Sequence, residues 1–352
     1  MIEPDGLPEA DRRDGCPHPR ETARLVGHAE PERALLSAFR SGRMHHAWLL
    51  TGPEGIGKAT LAYRMARFAF AHPNPAAAGA AAGLAVGEDD PAFRRVARLA
   101  HPDLLVLRRG WNADRKTHYG EIRVDDVRRA TSFFGSTTGE GGWRVAIVDA
   151  ADDLNGAAAN ALLKSLEEPP ARTIFFLVAA TPRALPAPVR SRCRTLPLRS
   201  LAAAEVAEIL SGLPEIVEAH DAEEIAGAAE LSDGTVARAL SLLRSDGASL
   251  RRTVATLLDR LPAVDVKASH ALAEDLARKG AEERFALFVG LVGDWLHDRV
   301  RAGASTGEPG LQRFAEAWDK ATRAAREVET FNLDRRPYVL ETLTDLSGLA
   351  RG

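Results

Sequence analysis

Apolar residues recur along the chain in two different ways, and the change between them divides it. Up to about residue 200, compact apolar runs alternate with helical spacing. "HAWLLTG" (46–52), "DLLVL" (103–107), the run within "WRVAIVDAADDLN" that ends at Asp149, and "TIFFLVAAT" (173–181) each read as a strand buried on both faces. Between them lie helical patterns: Pro31 to Ser41, then Leu61, Met65 and Phe68 in "KATLAYRMARFAFA", then Val124, Val127 and Phe134 in "EIRVDDVRRATSFFG", which opens as a short strand. "GAAANALLKSLEEPP" supplies another, stopped by Pro169 and Pro170. Buried strands interleaved with helices predict an α/β domain with a parallel sheet.

Past "SRCRTLPLRSL" (191–201) the strands stop. Val206, Ile209, Leu210 and Leu213 fall at i, i+3, i+4 and i+7, and Val236, Leu240 and Leu243 follow the turn "SDG", which predicts a small helical domain over 201–248. From 249 to 352 the spacing is helical throughout. Phe285, Phe288, Val289, Val292 and Leu296 form one stripe, as the core of a helical bundle does. Three stretches break the pattern. Residues 1–24, acidic and rich in Pro and Gly without an apolar core, predict a flexible leader that is neither signal peptide nor anchor, so the α/β part covers 25–200. Residues 73–91, "PNPAAAGAAAGLAVGEDDP", predict a surface excursion, and the basic stretch around Trp111 and His118 a solvated loop.

Composition adds limits rather than a function. With 352 residues, 45% apolar and 27% charged, the chain is long enough for two or three folded domains. A net charge of −3 gives no overall basic footprint for nucleic acid. Cys16 and Cys193 stand far apart, and His18, His28, His45 and His46 have no ligand spacing, so no metal site is expected. No uncharged apolar run reaches the ~18 residues of a membrane span, and a cytoplasmic location is expected.

Chemistry concentrates in "GPEGIGKAT" (52–60), set between a strand and a helix. Backbone amides around Gly52, Gly55 and Gly57 are spaced to wrap a phosphate and Lys58 to neutralise it, the pattern of a P-loop. That pattern wants a hydroxyl directly after the lysine to hold Mg²⁺. Ala59 stands there, and Thr60 comes one position late, turned about 100° around the helix. Asp149, delivered by a strand, is the partner carboxylate for Mg²⁺, but Ala150 and Ala151 follow where a water-polarising carboxylate is needed; Asp152 and Asp153 read as the start of the next helix. Spacing leaves two readings of the loop open: it binds ATP or ADP with Mg²⁺, or it keeps the shape without the ligand. Arg192 in "SRCR" is likewise either a solvated charge or an arginine aimed at phosphate.

Taken together, "HAWLLTGPEGIGKATLAYR", "HPDLLVL", "RVAIVDAADDLNGAAANALLKSLEEPP", "TIFFLVAATP" and "VRSRCRTLPL" resemble the clamp-loader branch of the AAA+ family, from about residue 20 to 200. The resemblance implies a P-loop α/β domain (25–200), a helical lid (201–248) and an all-α collar (249–352) that joins a hetero-pentameric ring. The ring's partners would be motor subunits, a delta subunit, the sliding clamp and primed DNA. The intact Ser191-Arg192-Cys193 beside Ala59 and Ala150 implies a non-hydrolysing stator that lends Arg192 to a neighbouring motor subunit. The alternative is an active motor using Lys58, Thr60 and Asp149. The lid arginine of motor subunits aligns with Ala237, and Arg238 is one position away. The family's four-cysteine zinc module has no counterpart here, so zinc is not expected and no cofactor is required.

Overall fold

In a computed structural model that describes residues 8–13, 15–135, 142–244, 247–306, 311–331 and 333–350, the aliphatic runs of the first two hundred residues pair into one parallel sheet. Its strands are β1 (Ala47–Thr51), β2 (Leu104–Leu107), β5 (Arg144–Asp149), β6 (Thr173–Ala179) and β7 (Arg194–Pro197), in the order β2-β5-β6-β1-β7. β1 and β6 are buried along their whole length, as strands covered on both faces must be. Helix α1 (Ala29–Arg40) precedes β1, and α2 (Lys58–Ala71), α3 (Pro91–Ala97), α4 (Val124–Gly135), α5 (Gly156–Glu167) and α6 (Ala187–Ser191) lie between the strands.

Alternation sorts the side chains of each strand into two cores. Trp48, Leu50, Val145, Ile147, Ile174 and Phe176 join Phe39, Leu61, Met65 and Phe68 on one face. Leu49, Ala146, Val148, Phe175 and Leu177 meet Ala158, Leu162 and Leu166 of α5 on the other.

Several readings of the sequence need correction. The 73–91 stretch is not merely a surface excursion: it holds a 3-10 turn (Pro75–Ala80), and Ala78 and Leu84 are buried in the first core. The expected loop around Trp111 is a two-stranded hairpin, β3 (Trp111–Asn112) and β4 (Thr117–His118), whose two rings meet edge to face. Ile122 forms a single bridge to Leu154 rather than a strand. Of the leader, residues 1–7 and 14 lie outside the described residues, while much of the rest is anchored rather than loose: His18 and Arg20 are buried. Glu9 accepts from Arg12 and Arg20, and Arg108 pairs with both Glu9 and Asp11.

The chain divides into two compact units. One comprises 1–222 with 233–237, and so includes α7 (Ala203–Ser211) and α8 (Pro214–Ala219); the other comprises 223–232 with 238–352. The second unit is built from most of α9 (Ala222–Glu230) and α10 (Val236–Arg244), with α11 (Gly247–Asp259), α12 (Val266–Leu276), α13 (Glu282–Thr306), α14 (Gln312–Phe331) and α15 (Arg335–Ala350). Phe285, Phe288, Val292 and Leu296 enter its core as their stripe predicts, and Tyr338 packs edge to face on both phenylalanines.

Candidate functional site

The loop after β1 needs glycine for steric reasons. Gly52, Gly55 and Gly57 have φ of 138°, 77° and 102°, a region side chains rarely enter. A Cβ on Gly55 would stand 2.4 Å from the Cβ of Ala237, and the Val236 amide donates to the Gly55 carbonyl at 3.1 Å. Val236 and Ala237, at the start of α10, therefore rest on the loop. Arg238, one position on, pairs with Asp294.

Lys58 is 5% exposed, and its Nζ donates to the carbonyls of Gly52 at 2.7 Å and Pro53 at 2.6 Å. The loop is thus tied to its own lysine. Burial draws the ammonium below its usual value, opposed by the charges of Glu54, Asp149 and Asp152. Ala59 packs on the first core beneath, and Thr60 is half-buried one position further along α2. Behind Gly57, buried His28 shares a 2.6 Å hydrogen bond with the Ile56 carbonyl, and burial lowers its pKa, which favours the neutral ring.

Asp149 ends β5 and is partly exposed at the sheet's carboxyl edge. Burial is the largest influence on its carboxyl and pushes it up to about 7; Asp11 and Glu54 add to this, while Lys58 and Arg108 oppose it. Near neutral pH the carboxyl is therefore divided between its protonated and ionised forms. Asp152 and Asp153 lie in the first turn of a short 3-10 helix (Ala151–Asp153), and Asp152 Oδ2 also accepts from the amides of Ala180 at 2.6 Å and Thr181 at 3.1 Å, fastening the end of β5 to the end of β6. Asp153 pairs with Arg109, and the cap of α5 is Asn155. The leader reaches the same edge, where Arg13 pairs with Glu54 of the loop.

Arg192 lies elsewhere. β7 begins at Arg194 beside Trp48, near the start of β1, and ends at Pro197 beside Thr51, just before the loop. The three steps from Arg194 to Pro197 separate the two ends by roughly 10 Å, so Arg192 and the chain's own Gly52–Lys58 loop occupy opposite edges of the sheet. The 4-residue strand β7 escaped the sequence reading because its side chains are mostly exposed and leave no apolar run. Arg192 follows α6 and is half-buried. Its NH1 donates to the Pro188 carbonyl at 2.8 Å and the Ser191 hydroxyl at 3.4 Å; its NH2 pairs with Glu167 Oε1 at 2.5 Å. Neighbouring Cys193 packs against the second core, and burial pushes its thiol up to about 11.

Among the described residues no group of three or more His, Cys, Asp or Glu is arranged to hold a metal, and no helix is long and apolar enough to cross a membrane.

Residues 27–202, half of the chain, match the family described as "DNA polymerase III, delta subunit". A Pseudomonas aeruginosa protein named "DNA polymerase III subunit delta'" is 37% identical over 187 residues, 52% of this chain and 53% of that relative. An Escherichia coli protein of the same name is 33% identical over 231 residues, 64% of this chain and 62% of the relative. A Salmonella typhimurium "DNA polymerase III subunit tau" is 29% identical over 228 residues, 64% of this chain but 33% of the relative. The chain thus spans 53% and 62% of the length of these two delta' relatives.

Proposed function

Because the chain belongs to the DNA polymerase III delta-subunit family, within the clamp-loader AAA+ proteins, we propose that it is a clamp-loader stator. In this reading it hydrolyses no nucleotide itself and places Arg192 against the triphosphate bound by a neighbouring motor subunit. The α/β part over 25–200 carries Arg192, the helices of 201–248 form the lid, and 249–352 form the collar of a hetero-pentameric ring that loads a sliding clamp on primed DNA.

The observation that carries this reading is the placement of Arg192 at the sheet edge opposite its own phosphate loop. A guanidinium there has no route to the chain's own loop, but a second subunit's phosphates can approach it. Its guanidinium matches phosphate geometry with its fork of donors.

The loop's own chemistry supports the non-hydrolysing half. Lys58 is engaged by two loop carbonyls, Ala59 has no hydroxyl for a metal, and Ala150 follows Asp149 where a base would be needed. These groups do not fit Mg²⁺-nucleotide hydrolysis. In this reading no chemical step passes through the chain's own loop, and neither zinc nor another cofactor is required.

Arg192→Ala in the reconstituted loader tests the reading, with hydrolysis measured in the presence of clamp and primed DNA. Turnover at the site it completes is expected to fall by about 10³-fold or more, as for arginine fingers generally. Arg192→Lys should recover little, because a point charge does not reproduce the fork. An unchanged rate in Arg192→Ala overturns the proposal.

A further inference from the structure

Glu167 is the last residue of α5, with Glu168 and two prolines after it. The carboxyl end of a helix carries the negative pole of its dipole, which a carboxylate opposes. Its placement there calls for a cation, and Arg192 supplies one at 2.5 Å.

The pair is not a buried charge cluster. Side-chain exposure is 48% for Glu167 and 34% for Arg192, so water screens the attraction and the contact is readily exchanged. Glu167 reaches only NH2, while NH1 is directed to the Pro188 carbonyl and the Ser191 hydroxyl. A guanidinium has five N–H donors. Three contacts through two nitrogens fix the plane of the group and leave donors for a phosphate.

We propose that Glu167 is a positioning residue for Arg192: it orders the guanidinium before a neighbouring subunit arrives, so that less rotamer freedom is lost when phosphate is engaged. The inference rests on the reading of Arg192 as a finger in trans and adds to it the residue that sets the finger's orientation. Ordering a long side chain in advance acts on the step in which the finger meets developing charge, not on the neighbour's capture of ATP. Glu167 should therefore influence kcat and leave KM alone.

The test uses the assembled loader carrying Glu167→Gln, Glu167→Asp, Arg192→Ala or the Glu167→Gln/Arg192→Ala pair, with incorporation checked by size exclusion. Glu167→Gln is expected to lower kcat for clamp- and DNA-stimulated hydrolysis about 5-fold, the scale of an exposed ion pair, with KM for ATP unchanged. Glu167→Asp should restore part of the rate, and the double variant should be no slower than Arg192→Ala alone. A Glu167→Gln rate at or above that of the unaltered loader, a change confined to KM, or additive losses in the double variant would each overturn the assignment. If Arg192→Ala loses activity while Glu167→Gln does not, Glu167 alone is misassigned; if Arg192→Ala is silent, the finger reading falls and takes this one with it.

Discussion

Asp149 and Glu9 are carboxyls displaced in opposite directions, so they bear on stability at opposite ends of the pH scale. Asp149 is raised from 3.8 to about 7, chiefly by burial. The folded chain keeps a proton that the unfolded chain releases, so this contribution is full below pH 3.8 and lost as pH rises towards 7. Asp149→Asn is expected to flatten that decline and to gain about 1–2 kcal/mol at pH 8, an amount moderated by the residue's partial exposure. For Glu9, burial works upward, but hydrogen bonds from Arg20, Arg12 and Arg108 outweigh it and hold the carboxyl at about 2 instead of 4.5. Its contribution is full above pH 4.5 and lost as pH falls towards 2. Glu9→Gln should therefore cost about 1–3 kcal/mol at pH 7 and progressively less under acid conditions. Urea melts over a pH series check both; a Glu9→Gln deficit independent of pH would contradict the assignment. Neither displacement was legible in the sequence, because both arise from groups far apart along it. Asp11 and Glu9 stood in a stretch that read as a loose leader, with nothing local to announce Arg108 as a partner.

At the level of single elements, α5 shows what local sequence specifies and what it does not. Asn155 caps it: Oδ1 accepts from the Ala158 amide at 2.8 Å, and Nδ2 donates to Glu121 at 2.8 Å. Asn155→Ala should cost about 1 kcal/mol in thermal or denaturant melts. The buried strands were visible because each is a run of apolar residues, and the helix boundaries because Pro or Gly marks them. β7 and the β3-β4 hairpin were not, since "RTLP" and "WN" are held by backbone pairing rather than by a buried stripe. The loop's glycines could be read as a phosphate cradle, yet the contact of Ala237 with Gly55 spans 182 positions and leaves no pattern in either segment.

For the molecule as a whole, the two units have separate apolar cores, one pair around the sheet and one among the helices. The change from strands to helices near residue 200 was plain in the sequence. That α7 and α8 join the sheet-bearing unit was not, because helical spacing says which face is buried and not against what. With the loop tied to Lys58, the purified chain is expected to turn over no ATP above a buffer control, and Lys58→Ala to leave that baseline where it is. Steady-state phosphate release checks this, and turnover abolished by Lys58→Ala would favour a motor.

The thiol beside Arg192 has a practical side. Titrating near 11, Cys193 is ionised to only about one part in 10⁴ at neutral pH, so alkylating reagents and mild oxidants should largely pass it by. Labelling chemistry aimed at this edge of the sheet therefore starts from a quiet background. A spectroscopic probe introduced through Ser191→Cys, at an exposed position one residue before Arg192, would meet little competing label at Cys193, and replacing the partly exposed Cys16 would remove the other native thiol.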